Sequence, residues 1–254
     1  MTKISFKDVC KSFGDLVVLK DFTLDLKKGE SLVIIGGSGT GKSVSLKCLL
    51  GLLTPDSGKI IVSGKNAVGA NEKLKQDINE NIGMLFQNGA LFDSMTVEKN
   101  ISFGLIASNR VRKKNTTAIV YDCLKKVGLG QHVANKYPSD LSGGMRKRVG
   151  IARAIATNPE IILFDEPTTG LDPITATTID ELILSTVKDL GVTAITITHD
   201  ITSVRRIADR VAFLYEGKIV WSGTVKEMDK TNDPYIKQFI NGKSQGPIKW
   251  GTVE

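Results

Sequence analysis

Apolar residues in this chain gather in short runs, and the period of the runs changes along the sequence. Residues 4–9 and 17–26 read as strands, broken by turns at Gly14-Asp15 and Lys28-Gly29. Ser31–Ile35 is a continuous apolar run bounded by glycines, the pattern of a buried strand. Residues 43–50 switch to helical spacing and stop at Gly51. Thr54-Pro55-Asp56-Ser57-Gly58 is a turn, residues 59–63 form another strand, and residues 82–86 are a further apolar run.

From about residue 88 to residue 137 the strand signals fade. Residues 113–127 carry a helical apolar pattern with polar faces, which predicts a helical insertion. Beyond it, residues 146–156 predict a helix, 161–164 a buried strand, 180–190 a helix and 192–198 a strand. Residues 211–215 and 218–221 predict a strand pair turning at Glu216-Gly217, and residues 235–240 a last short helix. The tail over 241–254, with its Pro, Gly and polar residues, is expected to be extended, either docked on a neighbour or hanging free. Apolar strands alternating with helices predict an α/β protein with a largely parallel buried sheet.

Length and composition narrow this picture slightly. The chain has 254 residues, 41% of them hydrophobic, enough for a sizeable core in one domain. No stretch approaches the ~18 apolar residues of a spanning helix, and charges at Lys3, Lys7 and Asp8 leave no room for a signal peptide's apolar stretch. The expectation is a protein made and kept in the cytoplasm. The three cysteines, Cys10, Cys48 and Cys123, form no CxxC pair and read as reduced, packed thiols. The net charge of +7 suits nucleic acid or anionic lipid as well as a general basic bias, because the lysines are spread along the chain. Charge therefore selects no partner.

Chemistry enters at Gly36-Gly37-Ser38-Gly39-Thr40-Gly41-Lys42-Ser43, which fits G-x-x-x-x-G-K-[ST] between a predicted strand and a predicted helix. Glycines let the backbone curl so that successive N–H groups face a phosphate, and the helix that follows adds its positive end. Lys42 brings a point charge to the outer phosphates and Ser43 a hydroxyl for Mg²⁺. A second site follows the apolar strand at 161–164, which ends in Asp165-Glu166. Alone, that pair could simply solvate a turn. Beside a phosphate loop, at the carboxyl end of a strand, Asp165 points to Mg²⁺ and Glu166 to an attacking water.

Leu141-Ser142-Gly143-Gly144-Met145 precedes a helix, with Ser142 or Gly143 as its N-cap. This is a second helix N-terminus able to meet phosphate, yet the chain has one lysine-bearing cradle. A head-to-tail pair of chains, each closing its second site over the other's nucleotide, accounts for both. The basic triplet Arg146-Lys147-Arg148 reads as a solvated helix face.

Taken together these motifs resemble the nucleotide-binding subunit of ABC transporters along nearly the whole chain. The resemblance implies a P-loop NTPase of ABC ATPase type, with a parallel core sheet, an N-terminal antiparallel β subdomain and a helical subdomain over about 88–157. It implies ATP and Mg²⁺ as ligands and gives roles to further residues. Phe13 stands where the family places an adenine-stacking aromatic, although a plain core aromatic is the alternative. Gln87 matches the glutamine that senses Mg²⁺ and water and couples to the membrane subunit. Ser142, Gly143 and Gly144 belong to the signature, whose usual fifth residue is glutamine where this chain has Met145. Asp172 matches the aspartate that crosses the dimer interface, and His199 the switch histidine that contacts the γ-phosphate.

A narrower likeness is to the Mla-type branch, which serves lipid transport with MCE-class proteins. It rests on Met84-Leu85-Phe86-Gln87 with Gly89-Ala90-Leu91-Phe92, on Met145, on Asp172-Pro173-Ile174-Thr175 and on the tail Gln238-Phe239-Ile240-Asn241-Gly242. That branch implies phospholipid cargo and an integral permease at the cytoplasmic face of the inner membrane. Other cargoes such as amino acids, ions or nucleotides are the alternative. A non-transport ABC ATPase is a third reading, against which stand the absence of a heptad run, zinc cysteines or a second cassette. No nucleic-acid partner is expected.

Overall fold

The N-terminal hairpin and the first buried strand set the plan of the molecule, a computed structural model that describes residues 1–108 and 116–249. Strands β1 (Thr2–Phe13) and β2 (Leu16–Lys27) pair antiparallel, and β4 (Ser57–Val62) with the short β5 (Lys65–Asn66) completes a four-stranded sheet in the order β2-β1-β4-β5. The second sheet has six strands: β3 (Ser31–Ile35), β6 (Ile82–Leu85), β7 (Ile161–Asp165), β8 (Thr193–Ile197), β9 (Arg210–Tyr215) and β10 (Lys218–Thr224). Their order is β10-β9-β3-β8-β7-β6, all parallel except the edge strand β10.

Both faces of the parallel sheet are covered, which is why its strands read as unbroken apolar runs rather than as alternations. Side chains still alternate across the sheet. Leu32 and Ile34 of β3, with Leu163 and Ile195, pack toward the antiparallel sheet and helix α1 (Lys42–Leu49). Val33 and Ile35, with Ile162, Phe164 and Phe213, pack into the helical side. That side includes α3 (Val97–Ala107), α4 (Thr116–Lys126), α5 (Gly143–Ile155), α6 (Pro173–Leu190) and α7 (Ile201–Ile207). The smaller helices are α2 (Glu72–Asn79), α8 (Val225–Lys230) and α9 (Pro234–Ile240). Burial pushes the Cys48 and Cys123 thiols up to about 11, as packed reduced cysteines require.

Two expectations change, for α6 and for the tail, and a third is described only in part. Helix α6 begins at Pro173 rather than near 180: Asp172 caps it by accepting from the Ile174 and Thr175 N–H groups, and Pro173 has the backbone angle of a first helical residue. The helix expected over 113–127 is described from Thr116; its first three residues lie outside the described part, as do the last five of the tail. The tail up to residue 249 neither hangs free nor needs a neighbour. Ile248 is buried, its N–H donates to Gln238 Oε1 at 2.7 Å, and its carbonyl accepts from Gln238 Nε2 at 3.1 Å. A buried amide side chain thus satisfies an otherwise unpaired backbone segment.

Candidate nucleotide site

The site is assembled by topology. The loop 36–41 follows β3, His199 follows β8, Asp165-Glu166 ends β7 and Gln87 follows β6. These four strands are neighbours, and Ile34, Ile197 and Asp165 are level in register. Segments far apart in sequence therefore meet at one carboxyl edge of the sheet, where ligands of open α/β folds bind.

The loop itself is shaped by glycines that other residues could not replace. A Cβ on Gly36 would lie 2.4 Å from the Leu214 carbonyl oxygen, and one on Gly41 2.7 Å from that of Val18, with Gly41 at φ +101. Gly41 is also the N-cap of α1 and offers no side-chain acceptor to the first turn. Its N–H groups are left for an external anion. Lys42 is buried, and its ammonium donates to the Gly36 and Gly37 carbonyls at 2.9 and 2.7 Å. Burial lowers its pKa, opposed by the nearby Glu166 and Asp165 charges.

Ser43 Oγ donates to Asp165 Oδ1 at 3.0 Å. Burial raises the Asp165 pKa, offset by the Ser43 hydrogen bond and reinforced by the Glu166 charge. Both the ammonium and the acid are thus drawn toward their neutral forms, a bias that a metal-bound triphosphate would reverse. A hydroxyl and a carboxylate oxygen are the hard donors Mg²⁺ takes when substrate phosphates complete its shell. With the open loop N–H groups and the Lys42 ammonium, the residues present fit a magnesium-bound nucleotide.

Glu166 has an unusual backbone, φ +49, which is strained for a residue with a side chain. Its N–H donates to Ile197 O at 2.9 Å. Its Oε2 lies 2.9 Å from His199 Nδ1 and accepts from the Thr169 hydroxyl at 2.8 Å. The His199 side chain is 61% exposed. The arrangement presents a carboxylate held on one oxygen by two side chains, at the edge of a phosphate loop. Such a group can accept a proton from a water.

Of the remaining expected residues, Phe13 ends β1 with 47% of its surface exposed and the Lys11 ammonium 5.4 Å from its ring centre, so it is not a core aromatic. Gln87 is exposed just past β6. Ser142, rather than Gly143, is the N-cap of α5 and accepts from the Met145 N–H at 3.3 Å. Gly143 and Gly144 face Leu171 and Thr175, where added side chains would approach to 3.4 and 2.6 Å. Asp172, beside them, caps α6. Hydrogen bonding from Thr175, by side chain and backbone, and then from the Ile174 backbone holds its carboxyl below the usual value. Among the described residues no hydrogen bond joins Ser142, Gly143 or Gly144 to the loop 36–43.

Within the basic triplet Arg146 is exposed, as a solvated face predicts, whereas Arg148 is half-buried and Lys147 buried. Arg146 donates to the Leu141 carbonyl at 2.7 Å and Arg148 to that of Val127 at 3.1 Å. Lys147 is buried and donates to the carbonyls of Gln87 and Glu166. Counting charges concealed this. Lys147 shares a helix face with Ile151 and Ala154, at i+4 and i+7, and that spacing is the signal of an inward position. Thr169 and Arg153 were also missed. Arg153 donates to the carbonyls of Gly89 and Ala90, fixing the segment after Gln87.

Comparison with known proteins agrees with this fold. Residues 19–169 match the ABC transporter family. The chain is 40% identical to trigalactosyldiacylglycerol 3, chloroplastic, of Arabidopsis thaliana, over 97% of this chain and 76% of that protein. It is 39% identical to the probable ribonucleotide transport ATP-binding protein mkl of Mycobacterium leprae, over 96% and 70%. A dimeric ATP-binding cassette solved in a post-hydrolysis state with ADP and Pi superposes with a TM-score of 0.80 at 32% identity, covering 87% of this chain and 98% of that one.

Proposed function

This chain belongs to the ABC transporter family as an ATP-hydrolysing subunit, and from that premise we propose that two copies close head to tail on ATP to drive a separate membrane permease. The observation that carries the reading is the Glu166–His199 pair, 2.9 Å apart, at the same sheet edge as the phosphate loop and the Ser43–Asp165 pair. In this reading Lys42 exchanges its loop carbonyls for the outer phosphate oxygens. Ser43, Asp165 and Gln87 would hold Mg²⁺, which when bound would neutralise charge on the phosphates. Phe13 stacks on the adenine. Glu166 takes the proton of the attacking water while His199 and Thr169 fix its carboxylate and His199 meets the γ-phosphate. Ser142, Gly143 and Gly144 of the second copy cover the nucleotide, with Asp172 at the interface. This division of labour relies on positioning and charge rather than covalent chemistry.

Because the γ-phosphate would touch both copies, ATP favours the closed pair and ADP does not. That difference in grip is what moves an attached partner. The dimeric relative of similar fold supports the pairing. No helix among the described residues is long and apolar enough to cross a membrane, which is compatible with a peripheral subunit seated on a permease at the cytoplasmic face of the inner membrane.

Cargo is the least constrained part. Two relatives at 40% and 39% identity carry the names of a galactosyl lipid and of ribonucleotide transport, so overall likeness favours no cargo. A transporter of unspecified cargo is therefore better supported than one dedicated to phospholipid. The narrower reading, phospholipid with an MCE-class permease and lipid-binding protein, rests on the segment around Gln87, on Met145, on Asp172-Pro173-Ile174-Thr175 and on the tail from Gln238 to Gly242. The function is tested by Mg²⁺-dependent phosphate release from ATP. Turnover by the unsubstituted chain and its loss in Glu166→Gln are expected; equal rates would refute the assignment. Mass spectrometry of the membrane protein that co-purifies with the chain decides the cargo class.

A further inference from the structure

The scheme above gives Lys147 no task, yet its placement is costly and specific. It lies on the second turn of α5, 5% exposed, and among the described residues no carboxylate is bonded to its ammonium. An ammonium removed from water is unfavourable unless its donors are used, and an apolar side chain would fill the same place without that cost. Its donors are used on two backbone oxygens, those of Gln87 and, at 3.1 Å, of Glu166. These carbonyls follow β6 and end β7, the two neighbouring strands whose tips carry the metal-sensing and water-activating positions.

The bond to Glu166 matters because of the backbone there. With φ at +49 the peptide departs from the usual regions, and such a conformation persists only where its surroundings hold it. It is held from two directions: the N–H by Ile197 of β8, the carbonyl by Lys147 of α5. The other cations of this helix grip elsewhere. Arg146 binds the Leu141 carbonyl, Arg148 that of Val127 and Arg153 those of Gly89 and Ala90. Among the described residues Lys147 is the side chain of α5 that reaches the backbone of the proposed base.

We infer that Lys147 is a positioning residue that holds the Glu166 peptide in its strained form and ties the aim of that carboxylate to the placement of α5. This rests on the proposed function, in which the N-terminus of α5 covers the nucleotide of the other copy. A displacement of α5 by one nucleotide then changes the geometry of the base at the second site in the same chain. The tie is mechanical: one helix carries Ser142 at its start and the Lys147 ammonium a turn further on.

Steady-state ATP hydrolysis by the full chain separates this role from simple packing. Lys147→Met keeps length and removes the ammonium. We expect its kcat to fall at least tenfold with KM for ATP within twofold, its Hill coefficient for ATP to fall toward one, and Lys147→Arg to recover kcat to within about threefold of the unsubstituted chain. If Lys147→Met does not fold, Lys147→Gln, which keeps one donor, is read by the same split between kcat and KM. Unchanged kcat in the Met or Gln variant overturns the inference, and so does a joint loss of kcat and ATP affinity, the mark of a packing role. Absence of turnover in the unsubstituted chain overturns the proposed function and this inference with it. Turnover there, abolished by Glu166→Gln but indifferent to Lys147, overturns this inference alone.

Discussion

Two helices in this chain start at glycine-rich turns, and they start differently. Helix α1 follows Gly41, whose left-handed backbone provides no side-chain acceptor, so its first N–H groups are open. Helix α5 follows Ser142, whose hydroxyl already accepts from Met145 at 3.3 Å. An acidic residue in the first turn offsets the positive end of a helix, as Glu72, Glu98 and Glu227 do in α2, α3 and α8. Neither α1 nor α5 has one in its first turn. Both ends therefore keep their positive character. The first is finished only by a ligand. The second has a long, neutral bond of its own that a phosphate oxygen can replace with a stronger, charge-assisted one. The contrast explains how one end can bind nucleotide in a single chain while the other can wait, stably folded, for a second copy.

Substitutions break the comparison at different points. The largest effect is expected at Glu166, the proposed base beside the open helix end: Glu166→Gln lowers phosphate release by roughly 10²–10⁴-fold while ATP still binds. Next comes Lys42→Ala, which removes a charged hydrogen-bond partner of the phosphates worth about 1.5–3 kcal/mol, or roughly 10- to 150-fold in nucleotide Kd by calorimetry. Ser142→Ala is smaller. It removes a cap worth about 1 kcal/mol, visible as a lower urea midpoint, and leaves nucleotide affinity of the single chain unchanged. A loss of affinity in that variant would mean that both helix ends serve the same chain's nucleotide.

The smallest effect is a pH dependence at Asp172, which packs beside the start of α5. Hydrogen bonds from Thr175 and then Ile174 lower its folded pKa. A depressed carboxyl contributes stability above its unfolded value, near 3.8, and loses it as pH falls through the folded value. The stability difference between the unsubstituted chain and Asp172→Asn should accordingly shrink below pH 4 and be constant near neutrality. A difference that grows in acid would contradict the capping role.

These positions were not equally legible in the sequence. The strands β3, β7 and β8 showed as apolar runs because both their faces are buried, and the loop 36–43 showed because its chemistry admits few residue types. The start of α6 did not, because Ile174-Thr175-Ala176-Thr177-Thr178-Ile179 is a β-branched stretch of weak helix propensity that Asp172 and Pro173 override. The docking of Ile248 was hidden for a similar reason: a polar residue, Gln238, makes the seat for the tail. Within the site, the residues of the loop and strand ends could be named from type and spacing. Lys147 could not, because its role depends on two backbone carbonyls that share no pattern with it.

Closure of two copies on nucleotide is open to light scattering of Glu166→Gln with Mg²⁺. In saturating ATP a particle of about twice the 27.5 kDa chain mass is expected, returning to one chain when ADP replaces ATP. A particle of single-chain mass in both nucleotides, with ATP binding confirmed, would contradict it.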